Sequence, residues 1–222
     1  MELHGIVLGT VDFGESHRIV HMLTVEEGRL SLLARGGRAS RKRFAGALDR
    51  YIGLRMQARA GRGLWTLAAA DVVNARLGLR QELARLTRAS LLCECVRKLV
   101  PERQRAPEFL ALFGDALDGL DRGEIIAAAG AYPRLLAAAG ISPDLSHCHR
   151  CGGVDPPAVV VNPTSGEVDC ADCAGAQGAV AAVVLAGARL PADLAEADAV
   201  EANTLAVVTA HCGAEPLPKH GP

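Results

Sequence analysis

The spacing of apolar and polar positions changes period at about residue 75. Before it, short β-patterned runs succeed one another. Residues 3–11 centre on Ile6 and Val7, residues 17–24 carry Ile19, Val20 and Leu23, and residues 29–34 carry Leu30, Leu32 and Leu33. Turn formers separate them: Gly14, then Glu27-Gly28, then Gly36-Gly37. Two further strands are expected at 51–59 and 64–73, joined by Gly61-Arg62-Gly63. Five short strands in so little chain predict a small closed barrel, of which the five-stranded OB type is the common nucleic-acid-binding form.

From Arg76 the apolar residues recur at helical spacing. Leu79, Leu83 and Leu86 lead into Leu92, Val96 and Leu99, and Pro101 stops the run. A second helix is expected from Pro107 to Gly123, with Phe109, Phe113, Ala116, Leu117 and Leu120 on one side. A third covers 124–139, with Ile125, Ile126, Leu135 and Leu136 inward, a kink or break at Pro133 and Gly140 as its cap. Residues 179–198 are alanine-rich and give no clear element. A last helix is expected at 201–211, closed by Gly213, with a frayed tail beyond. The expected architecture is α+β and multidomain: an OB-fold barrel at 1–75, then a helical domain at 76–222 that includes a cysteine knuckle at 145–178.

The knuckle changes the picture most. Cys148, Cys151, Cys170 and Cys173 form C-x2-C-x18-C-x2-C, which lets two short turns bring four sulfurs onto one tetrahedral Zn²⁺. Gly152 and Gly153 suit the first turn, and Val159, Val160 and Val161 before Asn162, Pro163 and Gly166 suit a hairpin between the pairs. Two disulfides, an iron centre, a redox dithiol or four unrelated thiols are the competing readings. No signal peptide is recognisable at the N-terminus, so a cytosolic, reducing setting is expected, which disfavours disulfides. His147 and His149 flank the first pair as spare ligands. Cys93, Cys95 and Cys212 read as small apolar residues.

The net charge of −1 hides a segregation. Arg29, Arg35, Arg38, Arg41, Lys42, Arg43, Arg50, Arg55, Arg59 and Arg62 face a single acid, Asp49, so residues 29–62 carry +9 and the remainder −10. Such a block is either an anion-binding face or a solvated surface whose arginines pair with acids elsewhere. Aromatic residues are only 3% of the chain, and Phe13, Phe44, Tyr51 and Trp65 are the barrel candidates for stacking on bases. The longest apolar stretch is far too short to span a bilayer.

Walker A, HExxH and G-x-S-x-G strings are absent. The acid pairs Asp118 with Asp121, and Glu26 with Glu27, read as solvated charges. A four-thiolate zinc keeps no open position for substrate, so no residue is assigned a catalytic role and a non-enzymatic protein is expected.

Several blocks in order resemble the RecO recombination mediators of bacterial DNA repair. They are Gly5-Ile6-Val7-Leu8; 13–20, reading Phe-Gly-Glu-Ser-His-Arg-Ile-Val; Leu23-Thr24; Glu27-Gly28-Arg29; and Ala34-Arg35-Gly36-Gly37-Arg38. Arg41 and the Phe44-Ala45-Gly46-Ala47-Leu48 block follow. Residues 135–143 then run into Cys148-His149-Arg150-Cys151-Gly152, and Ala210-His211-Cys212-Gly213 with Leu217 and Lys219 closes the series. The segment between Cys173 and Glu201 departs from the pattern. The resemblance implies an OB barrel followed by a helical domain with the zinc module. It also implies binding of single- and double-stranded DNA, annealing of strands coated by single-strand-binding protein, loading of RecA together with RecR, and a cytoplasmic, nucleoid-associated location. The residues themselves nominate Arg35, Arg38, Arg41, Lys42 and Arg43, with Arg29 and Arg55, as phosphate-facing cations. An OB-fold RNA-binding or ribosome-associated module with a zinc ribbon is the alternative that composition leaves open.

Overall fold

The computed structural model describes residues 1–38, 40, 44, 46–61 and 63–213. Five strands close into a barrel in the order β1-β2-β3-β5-β4: β1 (Glu2–Phe13), β2 (His17–Thr24), β3 (Gly28–Ala34), β4 (Gly53–Arg59) and β5 (Trp65–Asn74). The long β1 serves both neighbours, pairing with β4 through its first half and with β2 along its length. A register shift between Val7 and Gly9 lets it curve between them. Only β3 and β5 run parallel, which closes the barrel in the OB manner.

Alternation along the strands divides the side chains cleanly. Leu3, Val7, Val20, Met22, Leu30, Leu32, Leu54, Met56 and Leu67 fill the barrel, together with Phe44 and Trp65. Ile6, Leu8 and Leu23 point outward into a second core shared with the helices. Gly5 is required where β1 and β2 close up, since a Cβ there would lie 2.2 Å from the Leu23 carbonyl oxygen.

A 3-10 turn at Leu77–Arg80 leads into α1 (Leu83–Leu99), α2 (Pro107–Arg122), α3 (Ile125–Ala129) and α4 (Ala131–Ala139). The expected break in the third helical run falls at Gly130 and not at Pro133. Gly130 is pressed against Leu190, whereas Pro133 sits in the first turn of α4, where its missing N–H costs nothing. Leu83 and Leu86 also depart from the expected stripe. Leu83 is 81% exposed and Leu86 is partly exposed, leaving Leu79, Leu92 and Val96 to carry the buried face.

The acids Asp118 and Asp121 are not simply solvated. Asp118 accepts Arg76 Nε at 2.6 Å and Asn74 Nδ2 at 2.9 Å, while Asp121 Oδ1 accepts the Leu79 amide at 3.2 Å. Together they fix α2 to the end of the barrel. Glu26 accepts both the His4 amide and its ring Nδ1.

Past the cysteine region the chain forms β6 (Ala158–Val161), β7 (Val168–Cys170), α5 (Ala171–Ala174), β8 (Val180–Ala181), α6 (Ala182–Leu185) and α7 (Leu194–Cys212). The final helix is thus a full two turns longer than its apolar pattern suggests. Asp193 starts it by accepting the Glu196 amide at 2.8 Å. Cys93 and Cys95 are buried as expected, but Cys212 is exposed.

Candidate nucleic-acid interface and metal centre

The outward residues of β1, β2 and β3 line a groove of about 580 Å³. Its floor comes from Val11, Phe13, Ile19 and His21, with Ser31 hydrogen-bonded to His21 Nδ1 at 2.9 Å. Leu64 and Gly63 wall one side, from the turn that precedes β5. Phe13 is 48% exposed, while Phe44, Tyr51 and Trp65 are all buried. Of the four aromatic candidates, Phe13 therefore stands where a base can stack.

One end of the groove is cationic. Asp12 Oδ1 accepts Arg18 Nε at 3.0 Å and Oδ2 lies 3.3 Å from Arg38 Nε. The Arg38 amide donates to the Ser16 carbonyl at 3.1 Å and its Nη1 to the Glu15 carbonyl at 3.3 Å. The Gly36 amide donates to His17 Nδ1 at 3.0 Å. These bonds seat the turn after β3 on the turn between β1 and β2, so Arg18 and Arg38 share one rim, while Arg35, the first residue of that turn, is exposed. Arg41, Lys42 and Arg43 lie outside the described residues.

Arg29 stands at the opposite end. Its Nη1 donates to the Arg97 carbonyl at 2.7 Å and Nη2 is 4.0 Å from Glu102, so the guanidinium is turned onto the last turn of α1. Burial draws its pKa down from the ordinary value, and Glu102 opposes the change. The following connection is fastened over β3: the Arg103 amide donates to the Arg29 carbonyl at 2.8 Å, and Arg103 Nη2 donates to the Gly63 carbonyl. Gly28 is needed at this crossing, where φ is +66° and a Cβ would meet the Gln104 carbonyl oxygen. Arg55 is elsewhere, on β4 between His4 and Asp71, with its guanidinium 3.6 Å from Asp71. The groove's Arg18, Asp12, His21 and Arg103 were missed by the charge-block reading because they fall outside the block or look unremarkable in isolation.

The second centre is the cysteine knuckle. The sulfurs of Cys148, Cys151, Cys170 and Cys173 all lie within 4.8 Å of one another, and Cys151 and Cys170 are 3.9 Å apart. A tetrahedral ion with metal–sulfur bonds of about 2.3 Å needs sulfurs about 3.8 Å apart, so the cluster fits. Gly152, at φ +71°, closes the first turn by donating its amide to the Cys148 carbonyl at 2.9 Å. The hairpin β6–β7 delivers Cys170, and α5 delivers Cys173.

Amide hydrogen bonds from Cys170, Cys151 and Arg150 hold the Cys148 thiol down to about 6, while the neighbouring thiols of Cys170 and Cys151 push Cys173 up to about 12. Four thiols this close can all ionise only if a cation shares them. His147 and His149 stay outside the cluster, the latter 3.3 Å from Glu167. The ribbon is clamped by α7: Asn203 Oδ1 accepts the Val161 amide at 2.6 Å, and its Nδ2 donates to the Gly178 carbonyl at 2.9 Å. Among the described residues, no helix is long and apolar enough to cross a membrane.

A closed five-stranded barrel of the OB type, joined to helices that carry a four-cysteine module, defines the class of two-part OB-barrel proteins with a clustered-cysteine site. The family model for the N-terminal part of recombination protein O matches residues 1–76, and that for its C-terminal part matches residues 80–214. A DNA repair protein RecO from Anaeromyxobacter sp. (strain Fw109-5) is 40% identical over 186 residues, covering 78% of this chain and 70% of that protein. The protein of the same name from Myxococcus xanthus is 37% identical over 155 residues, covering 67% of this chain and 62% of its own length. The chain belongs to the RecO family of DNA repair proteins.

Proposed function

We propose that this chain is a recombination mediator that binds single- and double-stranded DNA, anneals complementary strands, and acts with RecR and single-strand-binding protein to load RecA in the cytoplasm, at the nucleoid. The observation that carries the DNA-binding step is the position of Phe13, exposed in a groove whose rim holds Arg18 and Arg38. Phosphates meet the guanidinium rim, and one base at a time stacks on the ring. Because a single aromatic is available, phosphate neutralisation dominates, with little sequence preference and strong salt dependence. A strand held chiefly by its backbone keeps most base edges free to pair, and the cations screen the approach of its complement.

The metal reading follows from the donor set. Four thiolates suit Zn²⁺, which would cross-link the two cysteine turns and leave no coordination position for substrate. The role is structural, and the chain is not an enzyme. We take the barrel, residues 1–75, as the DNA-binding domain, and residues 76–222, with the knuckle at 145–178, as the domain that the metal stabilises.

The test is annealing of complementary oligonucleotides coated with single-strand-binding protein, wild type beside Arg38→Glu. Faster annealing by wild type and its loss in the variant are expected. A marked preference for structured RNA over single-stranded DNA in competition would overturn the reading in favour of an RNA-binding module.

A further inference from the structure

At the seam between barrel and helices lies a cavity of about 220 Å³ that shares no residue with the groove. Three of its lining residues are arginines, Arg50, Arg76 and Arg80, and none is acidic. Tyr51 and Ser90 add hydroxyls, and Leu79 and Leu86 supply an apolar wall.

The three cations are held differently. Arg76 has only 5% of its side chain exposed; Nε is committed to Asp118 and Nη1 to the Tyr51 carbonyl at 2.7 Å, leaving Nη2 without a hydrogen-bond partner among the described residues. Arg80 makes a long contact, 3.3 Å, with the exposed Asp49. Arg50 has no ion pair among the described residues and reaches the Tyr51 phenol. Burial pushes that phenol's pKa up, so Tyr51 remains a donor at neutral pH. Both Arg76 and Tyr51 are non-glycine residues at positive φ, +44° and +72°, the left-handed conformation that L side chains rarely adopt.

We infer that this cavity binds a phosphate group carried by a nucleotide, with the guanidiniums and the two hydroxyls on the phosphoryl oxygens and Leu79 and Leu86 against the sugar. Convergent donors with a surplus of positive charge, and no carboxylate in the lining, select an anion. The volume, equal to about seven water molecules, admits a phosphate with its sugar. The exposure of Leu86, which breaks the apolar stripe of α1, has its explanation in this wall. Arg50 also lies near the end of the β3–β4 connection, residues 35–52, which carries Arg38 of the groove's rim, so one connection joins the two anion sites.

The experiment titrates the full chain with inorganic phosphate, thymidine monophosphate, and an oligothymidylate carrying either a 5′-phosphate or a 5′-hydroxyl, following Tyr51 by NMR. Saturable perturbation of Tyr51 by phosphate and by the mononucleotide is expected, weakened at least tenfold in Arg50→Ala and in Arg80→Gln. Both substitutions are on exposed side chains, and Trp65 fluorescence confirms that each variant is folded. A clear advantage for the 5′-phosphorylated oligonucleotide over the mononucleotide identifies strand ends as the source; equal affinity identifies free nucleotides. Absence of saturable binding, or binding unaltered in both variants, overturns the inference whether or not DNA occupies the groove.

Discussion

Asp12 and Arg38 meet at 3.3 Å across the mouth of the barrel, and the other carboxylate oxygen of Asp12 holds Arg18 at 3.0 Å. A single acid therefore occupies two cations on the rim of the groove. Any phosphate binding there must displace it or share the guanidiniums with it.

Asp12→Asn should accordingly tighten single-stranded DNA binding several-fold. With one or two more cations open to phosphate, the slope of log K against log salt should steepen by about 0.7 to 1.4. Fluorescence anisotropy across a salt series measures both. Weaker binding would show that Asp12 organises the rim and does not compete for it.

Phe13→Ala should cost about 1–3 kcal/mol in binding of oligothymidylate, with the salt slope unchanged, since the variant gives up stacking and keeps every cation. Binding of duplex, whose bases are already stacked, should change much less. Equal losses on both substrates would remove the ring from the account.

Cys170→Ser should release the metal and lower the melting temperature of the helical part, because ligation is coupled to folding and the ribbon's Val159, Val161 and Val168 belong to the helices' core. Trp65 is the chain's single tryptophan and lies in the barrel core, so its fluorescence should report an intact barrel while helical circular dichroism melts early. Metal analysis with thermal melts decides the point; an unaltered helical melt after metal loss would contradict it.

Glu201 supplies a pH prediction. Burial raises its carboxyl above the ordinary value, against the pull of Arg88, which is itself held protonated by Glu201 and Asp198. Arg88 stays charged, so the raised glutamate sets the pH dependence of the pair. A raised folded pKa means that its contribution is fully present below the unfolded value and is lost as pH climbs through the folded one. Glu201→Gln, which keeps an acceptor for Arg88, should therefore gain stability relative to wild type between pH 4 and 7 in denaturant titrations. A gap that closes or reverses over that range would mean that the ion pair outweighs burial.

Much of this was readable from the residues. Strand alternation, the helical run ended by Gly123, and the cysteine spacing each depend on local chemistry that the chain carries in order. What escaped depends on partners distant in sequence. Leu86 looks like core until the cavity beneath the start of α1 is seen, and Asp118 looks solvated until Arg76 folds back across 42 residues to meet it. The start of α7 was hidden because Leu194 is exposed and alanines give its first turns no apolar stripe. Among the aromatics, strand register alone decides that Phe13 faces out while Trp65 faces in. The charge block pointed to the rim through Arg38, but Arg29 and Arg55 show that membership of a basic run does not place a side chain on one face.

The most direct test is equilibrium capture of a fluorescent oligothymidylate by wild type and by the Arg18→Glu, Arg38→Glu double variant, across a salt series, with Trp65 fluorescence checking the fold. Affinity at least tenfold weaker in the variant and a slope flatter by about 1.4 are expected, because two phosphates go unneutralised. Capture of equal strength with an equal slope would contradict DNA binding at the rim.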